Sequence, residues 1–320
     1  NSDFIRTTDQ KHESFVINFV NKLKEEGFLY EAEYEGLYCV GCESFLQEKD
    51  LNENGECPDH LKKPELIKEK NWFFNLRGEN GGRDFLSEIK ELIESDELEI
   101  APSAMKSEVL VLIKQGIPNF SVSRNKEKVK WGIELPWDEK QLIYVWPDAL
   151  TNYISALDDK SWWPAQVQLL GKDILKFHTI YWPAMLLAAG YELPKKLFAH
   201  GYFTVNNQKM SKTIGNVIDP KELIEEFGSD VTKYLLLSSF PFGQDGDIEK
   251  DKFGEKYNDF FANHLGNYIN RIGILVFKNY EGKIPAANSE QFGEFPALLE
   301  KAWADYHQNI KAQSASRSGR

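Results

Sequence analysis

Apolar positions recur at helical spacing in Phe15, Val16, Phe19, Val20 and Leu23, and Gly27 closes the pattern, predicting an amphipathic helix over 13–27. Phe85, Ile89, Leu92 and Ile93 share one face in the same way and predict a helix over 83–98. Between them, residues 37–66 are polar and interrupted, with Asn52-Glu53-Asn54-Gly55 as turn chemistry between two cysteine-bearing pieces. From residue 142 the pattern changes. Short apolar runs at 142–146, 167–171 and 196–200 read as strands, with helical stretches such as Ile174 to Ala189 between them. That alternation predicts an α/β fold with a parallel sheet. After about residue 220 the strand pattern stops, and Leu223–Phe227, Val231–Ser238 and Lys250–Tyr280 read as helices of an all-α part. Residues 314–320, rich in Ser, Arg and Gly, read as a frayed end.

Composition narrows the class. The 320 residues, 42% hydrophobic and 28% charged, have the balance of a soluble globular protein with room for two or three domains. No apolar run approaches the roughly 18 residues that span a bilayer. The opening Asn1-Ser2-Asp3-Phe4-Ile5-Arg6 has no apolar core of a secretory signal, so neither membrane nor export is expected. Three cysteines make a disulfide framework a poor fit and a reducing cytoplasm the expected setting. A net charge of -12 argues against indiscriminate nucleic-acid binding, although a local basic strip would still serve RNA.

Three constellations carry chemistry. In Lys209-Met210-Ser211-Lys212-Thr213, between Gly201 and Gly215, two lysines three apart suit a loop that brings ammonium groups onto a polyphosphate. Charge spacing alone equally fits a solvated surface loop. Cys39-Val40-Gly41-Cys42 and, after fourteen intervening residues, Cys57-Pro58-Asp59-His60 offer two ligand pairs, each three apart. This is the pattern of a tetrahedral Cys₃His zinc site, with Gly41 and Gly55 permitting the turns. Four protein ligands close such a site, so the zinc would be structural and would fold a module with little core of its own. In the third, Trp146 is expected at the end of a buried strand, and a helix from near Pro147 would set Ala149 and Tyr153 on one face. Gly171-Lys172-Asp173 then ends a strand with a carboxylate placed to accept from a ribose, and Ile174 and His178 are four apart on the next helix. By residue type alone, Trp146 and Tyr153 are also ordinary aromatic core, and His178 a satisfied helical histidine.

The order of these elements resembles the methionyl-tRNA synthetases, class I enzymes, in their bacterial form with a single zinc knuckle. The likeness runs from residue 3 to about 285 and includes Phe4-Ile5-Arg6-Thr7-Thr8-Asp9, Val122-Ser123-Arg124 and His200-Gly201-Tyr202. It implies that Trp146, Ala149, Leu150, Tyr153, Ile174 and His178 line a methionine pocket, where aromatic and apolar walls suit a thioether. It implies that Arg124 lies near the amino-acid head group, that Gly171 and Asp173 hold adenosine, and that Lys209 and Lys212 steady the phosphates of ATP, taken with Mg²⁺. It further implies that Asn267 and Arg271, four apart on a helix, read the anticodon of tRNA(Met). Thr213 stands where the family has a second Ser and keeps the hydroxyl.

The resemblance predicts the second half of a Rossmann-like catalytic sheet, a small zinc-knuckle connective domain and a C-terminal helical bundle. The expected partition is 1–30 for the end of the first Rossmann half and 31–105 for the connective domain. It continues with 106–204 for the second Rossmann half, 205–249 for the lysine loop and stem-contact region, and 250–320 for part of an anticodon-binding domain. The family's His-x-Gly-His motif is absent, since no two of the six histidines lie three apart. The expectation is therefore a synthetase without its N-terminal half and without the end of its anticodon-binding domain, unable to make methionyl-adenylate unless that half is supplied. The alternative is a synthetase-derived chain that binds tRNA or nucleotide without catalysis. A cysteine or leucine enzyme fits less well: the former uses zinc in its substrate pocket, and the segment from Trp146 to Tyr153 argues against the latter.

Overall fold

A computed structural model describes residues 4–41, 44–46, 48, 51–58, 61–210, 215–241, 243–284 and 292–311. The chain divides into two units, Asn1–Ala199 and His200–Arg320.

The first unit opens with helix α1 (Gln10–Glu25), three residues earlier than the apolar pattern predicts, after Asp9 in extended conformation. Its Phe19 and Leu23 enter the main core, and its Val16 and Val20 a smaller cluster with Leu135 and Ile143. Strands β1 (Leu29–Cys39), β2 (Ser44–Leu46) and β3 (Glu65–Phe74) follow, and β1 pairs antiparallel with both others. The interrupted segment 37–66 is thus more ordered at its ends than its polarity predicts. Strand pairing explains this: Leu37, Tyr38 and Cys39 stand opposite Leu46, Phe45 and Ser44 of β2, and Leu37 and Tyr38 also opposite Leu66 and Glu65 of β3.

Helix α2 (Phe85–Glu94) matches its prediction, with Asp84 accepting from the Ser87 amide as N-cap. Strand β4 (Glu99–Ala101) leads into α3 (Ser103–Gln115). Strands β5 (Phe120–Ser121), β6 (Ser123–Asn125), β7 (Glu134–Leu135) and β8 (Asp138–Ile143) form short antiparallel pairings. The strand predicted to reach Trp146 ends at Ile143, and α4 (Val145–Ser155) has already begun. Pro147 is compatible with this earlier start, because a first-turn residue needs no intrahelical N–H bond.

Strand β9 (Gln168–Gly171) is an edge of a sheet ordered β4, β10 (Lys196–His200), β9, and β10 pairs parallel with β4. This is the predicted mixed α/β arrangement with a parallel pairing. Between β9 and β10 the helix is not uniform. A 3-10 turn spans Lys172–Ile174, a π-helical stretch Phe177–Tyr181, and α5 runs Trp182–Ala188. Trp182, wholly buried, meets the rings of Phe19, Tyr153 and Trp163 at 6.0, 6.4 and 6.2 Å.

In the second unit, β11 (Phe203–Val205) and β12 (Gln208–Lys209) form a hairpin, followed by α6 (Pro220–Phe227) and α7 (Ser229–Ser238). Strand β13 (Gly246–Asp247) pairs parallel with β11, so the strands do not stop at residue 220 as the sequence pattern predicts. Two residues are too few to carry an alternation, and hydrogen bonds from the hairpin make the strand instead. Helix α8 (Lys250–Tyr257), a π-helical stretch Asn258–Gly266 and α9 (Asn267–Tyr280) fill the predicted helical run. Helix α10 (Phe295–Lys311) completes the unit. Among the described residues no helix is long and apolar enough to cross a membrane.

Candidate active site

Helix α4 places Trp146, Ala149 and Tyr153 at helical spacing along one side, against the turn that follows β9. The Trp146 indole stacks on Phe177, with centroids 3.8 Å apart and planes at 8°. His178 approaches Trp146 edge-on at 6.5 Å and Tyr153 at 5.8 Å. Its imidazole has one consistent tautomer. Nδ1 lies 3.1 Å from the Ile174 carbonyl, which can only accept, so Nδ1 carries the proton. Nε2 is then the acceptor for the Tyr153 hydroxyl at 2.9 Å. The result is an aromatic box with a neutral polar pair at one end.

Both groups titrate so as to keep that pair neutral. Burial pushes the His178 imidazole below its ordinary 6.5, against smaller opposing effects of the Ile174 hydrogen bond and the Asp173 charge. Burial pushes the Tyr153 phenol above its ordinary 10.0. In the unfolded chain His178 takes a proton more readily, so its contribution to stability is whole above about pH 6.5 and declines as pH falls below it. Tyr153 acts with opposite sign: its contribution is present below pH 10 and is lost as pH rises past it. Unfolding midpoints followed across pH are therefore expected to fall on the acid side, with a shallower acid limb in H178Q.

The structure brings Trp146, Tyr153, Ile174 and His178 together. Ala149 is half-buried on the same helix, whereas Leu150 is 1% exposed and packs in the main core. Gly171 ends β9, and Asp173, in the 3-10 turn just beyond, is exposed at the carboxyl end of that strand.

Arg124 lies on β6. It is buried, donates to the Ser123 carbonyl at 2.8 Å, and lays its guanidinium 3.6 Å from the Tyr144 ring centroid. With Glu69, Tyr144 and Asp148 it lines a cavity of about 750 Å³. The guanidinium thus faces an aromatic ring at the start of α4.

The sequence pattern missed two contributors. Phe177 forms the second wall of the aromatic box, and its place beside His178 was the available signal. His12 of α1 is 1% exposed and meets Asp148 at 2.6 Å and Ser155 at 2.7 Å, joining both ends of α4 to α1. Its place just before the predicted helix carried no signal that it is inside.

Of the metal-ligand set, Cys39 ends β1 and Cys57 lies in the turn before Leu61, and both thiols are buried. The turn is built by bonds from Leu61 N–H to the Cys57 carbonyl at 2.8 Å and from Cys57 N–H to Lys62 at 2.9 Å. Gly55 takes the left-handed conformation at φ 72°, as predicted. Cys42 and His60 lie outside the described residues, and no larger cluster of ligand types occurs among the described ones.

Lys209 ends the β11–β12 hairpin, with its ammonium 4.4 Å from the Tyr202 ring centroid. Ser211, Lys212 and Thr213 lie outside the described residues. Asn267 and Arg271 are both exposed on α9, one turn apart.

The family profile described as "tRNA synthetases class I (M)" matches residues 1–64 and 60–273. A chloroplastic/mitochondrial methionine–tRNA ligase of Arabidopsis thaliana is 42% identical over 329 residues, covering 98% of this chain and 52% of that protein. The methionine–tRNA ligase of Thermotoga maritima is 40% identical over 301 residues, covering 91% and 47%. The structure is similar to that of a Mycobacterium tuberculosis methionyl-tRNA synthetase bound by methionyl-adenylate. The TM-score is 0.86 at 32% identity, over 98% of this chain and 63% of that one. The chain spans about half the length of the curated relatives first matched.

Proposed function

Because the chain belongs to the class I (M) tRNA synthetase family, we propose that it serves the ATP-dependent ligation of methionine to tRNA(Met). The observation that carries this reading is the aromatic box of Trp146 and Phe177 closed by the neutral Tyr153–His178 pair. An apolar, polarizable thioether gains dispersion contacts from such walls, and a neutral pair brings no charge that an apolar side chain would leave unpaired. In the reaction the methionine carboxylate oxygen bonds to the α-phosphorus of ATP while the bond from that phosphorus to the bridging oxygen breaks. Methionyl-adenylate and pyrophosphate result, and the tRNA's terminal ribose hydroxyl then takes the methionyl group and releases AMP. Lys209 and Lys212 offset the charge gathering on the leaving pyrophosphate, and Mg²⁺ accompanies the nucleotide. Asp173 accepts from the ribose, Gly171 lets adenosine approach, and Arg124 steadies the head group. Asn267 and Arg271 contact the anticodon.

The expected partition of the chain stands as part of this proposal, with the catalytic sheet over 106–204 and the connective module over 31–105. Cys39, Cys42, Cys57 and His60 would hold one structural zinc, and the two buried thiols and the built turn at Cys57 fit that role. Metal analysis of the purified protein is expected to find one zinc per chain, and C57S to lose it together with folded structure in that module. A reducing compartment, taken to be the cytoplasm, suits unoxidised thiols.

The function is tested by binding of stable aminoacyl-adenylate analogues to the protein. Methionyl is expected to be preferred over leucyl, with the preference reduced in H178A; equal binding of both analogues would refute the pocket.

A further inference from the structure

The Asn206–Asn207 turn joins β11 to β12 with φ of 54° and 59°, the left-handed pair that a two-residue hairpin needs. Asparagine tolerates that conformation less freely than glycine, so the turn gains from outside support. The support comes from one atom. Oδ1 of Asp247 accepts from the Asn207 amide at 2.7 Å and from the Thr204 hydroxyl at 2.6 Å. Those hydrogen bonds hold the Asp247 carboxyl below the usual carboxylate range, so it is ionised and the bonds are charge-assisted.

The strand that carries Asp247 is itself pressed against the hairpin. Gly246 N–H donates to the Tyr202 carbonyl at 2.9 Å, Ile248 N–H to Thr204 at 2.8 Å, and Tyr202 N–H to the Asp245 carboxylate at 2.8 Å. A Cβ at Gly201 would come within 2.3 Å of the Gln244 backbone, and one at Gly246 within 2.2 Å of the Phe240 ring. At the far end of the lysine loop, the Asn216 side chain donates to the Lys209 carbonyl at 3.2 Å. Lys209 leaves a hairpin whose turn, first strand and adjoining residue Tyr202 are all tied to 245–248.

We propose that Asp247 is a positioning residue for the phosphate-binding loop: by fixing the Asn206–Asn207 turn it sets the direction in which Lys209 enters that loop. This rests on the reading of Lys209 and Lys212 as phosphate ligands. Asp247 touches no substrate; it acts through the hairpin, and a misdirected hairpin leaves the lysines unable to meet the leaving pyrophosphate.

Two measurements on D247A and D247N test it. In methionine-dependent pyrophosphate exchange, measured on the chain mixed with a separate polypeptide that carries the His-x-Gly-His segment, D247A is expected to lower kcat on the order of 10–100-fold with the methionine KM unchanged. D247N keeps an oxygen acceptor at the same place and should restore most of the rate. In hydrogen exchange on the chain itself, D247A should deprotect the Asn207 amide and the 203–209 segment while the amides of α6 and α7 keep their protection. Full activity in D247A, or D247N as damaged as D247A, would overturn the proposal. So would unchanged protection of the hairpin. If the unsubstituted chain shows no exchange even with that second polypeptide present, the phosphate-loop reading fails, and hydrogen exchange alone decides the role of Asp247.

Discussion

Trp182→Ala lowers the stability of the Asn1–Ala199 unit by about 3–5 kcal/mol, read as a shift in denaturant midpoint with little change in slope. Trp182 is wholly buried, among the largest side chains of the core, and joins Phe19 of α1 to Tyr153 of α4. Truncation removes a two-ring side chain where three elements meet, leaving a cavity that the surrounding core closes only in part. W182F separates packing from polarity. It keeps one ring and deletes an indole N–H that has no hydrogen-bond partner among the described residues, so its loss is expected to be clearly smaller. Equal losses in the two variants would show that the indole N–H, and not ring volume, matters there.

With the His-x-Gly-His segment supplied as a separate polypeptide, Lys209→Ala and Lys212→Ala are each expected to lower the rate of methionine activation by about 100–1,000-fold, and the methionine KM to stay near its unsubstituted value. The split follows from where the charge appears. On the proposed reading, the ammonium groups meet negative charge that grows on the departing pyrophosphate, whereas methionine is held by the aromatic box around His178. Combined, the two substitutions cost less than the sum, since both serve the same phosphates. Substitution of His178 by Ala is the contrasting case, raising the methionine KM before it lowers kcat. Steady-state exchange rates with methionine and ATP varied separately distinguish the two patterns.

Residues with a repeating environment were the legible ones. The apolar stripe of α1, from Phe15 to Leu23, predicts its helix to within three residues at the start, because burial on one face forces that spacing. The apolar runs that became β9 and β10 were equally plain. Of the site, the spacing of Ala149 and Tyr153 on one face of α4 could be read directly, as could that of Ile174 and His178. Contacts between distant segments were not legible. Nothing in the sequence pairs Trp146 with Phe177, or His12 with Asp148 and Ser155, since each contact depends on how helices pack. The same holds for β13, two residues fixed by hydrogen bonds from a hairpin some forty positions earlier. Helix α3, directly after Pro102, is not among the predicted elements, although Met105, Val109, Leu112 and Ile113 recur at helical spacing.

The central claim, that this chain carries a methionine pocket and the lysine half of a phosphate clamp, is tested most directly by methionine-dependent exchange of pyrophosphate into ATP. The chain is assayed by itself and mixed with a separate polypeptide that carries the His-x-Gly-His segment of a bacterial relative. The account predicts no exchange from the 320 residues alone and exchange in the mixture with methionine but not leucine. Exchange by the chain alone would contradict the two-part clamp, and a mixture that stays silent, or responds equally to leucine, would contradict the pocket.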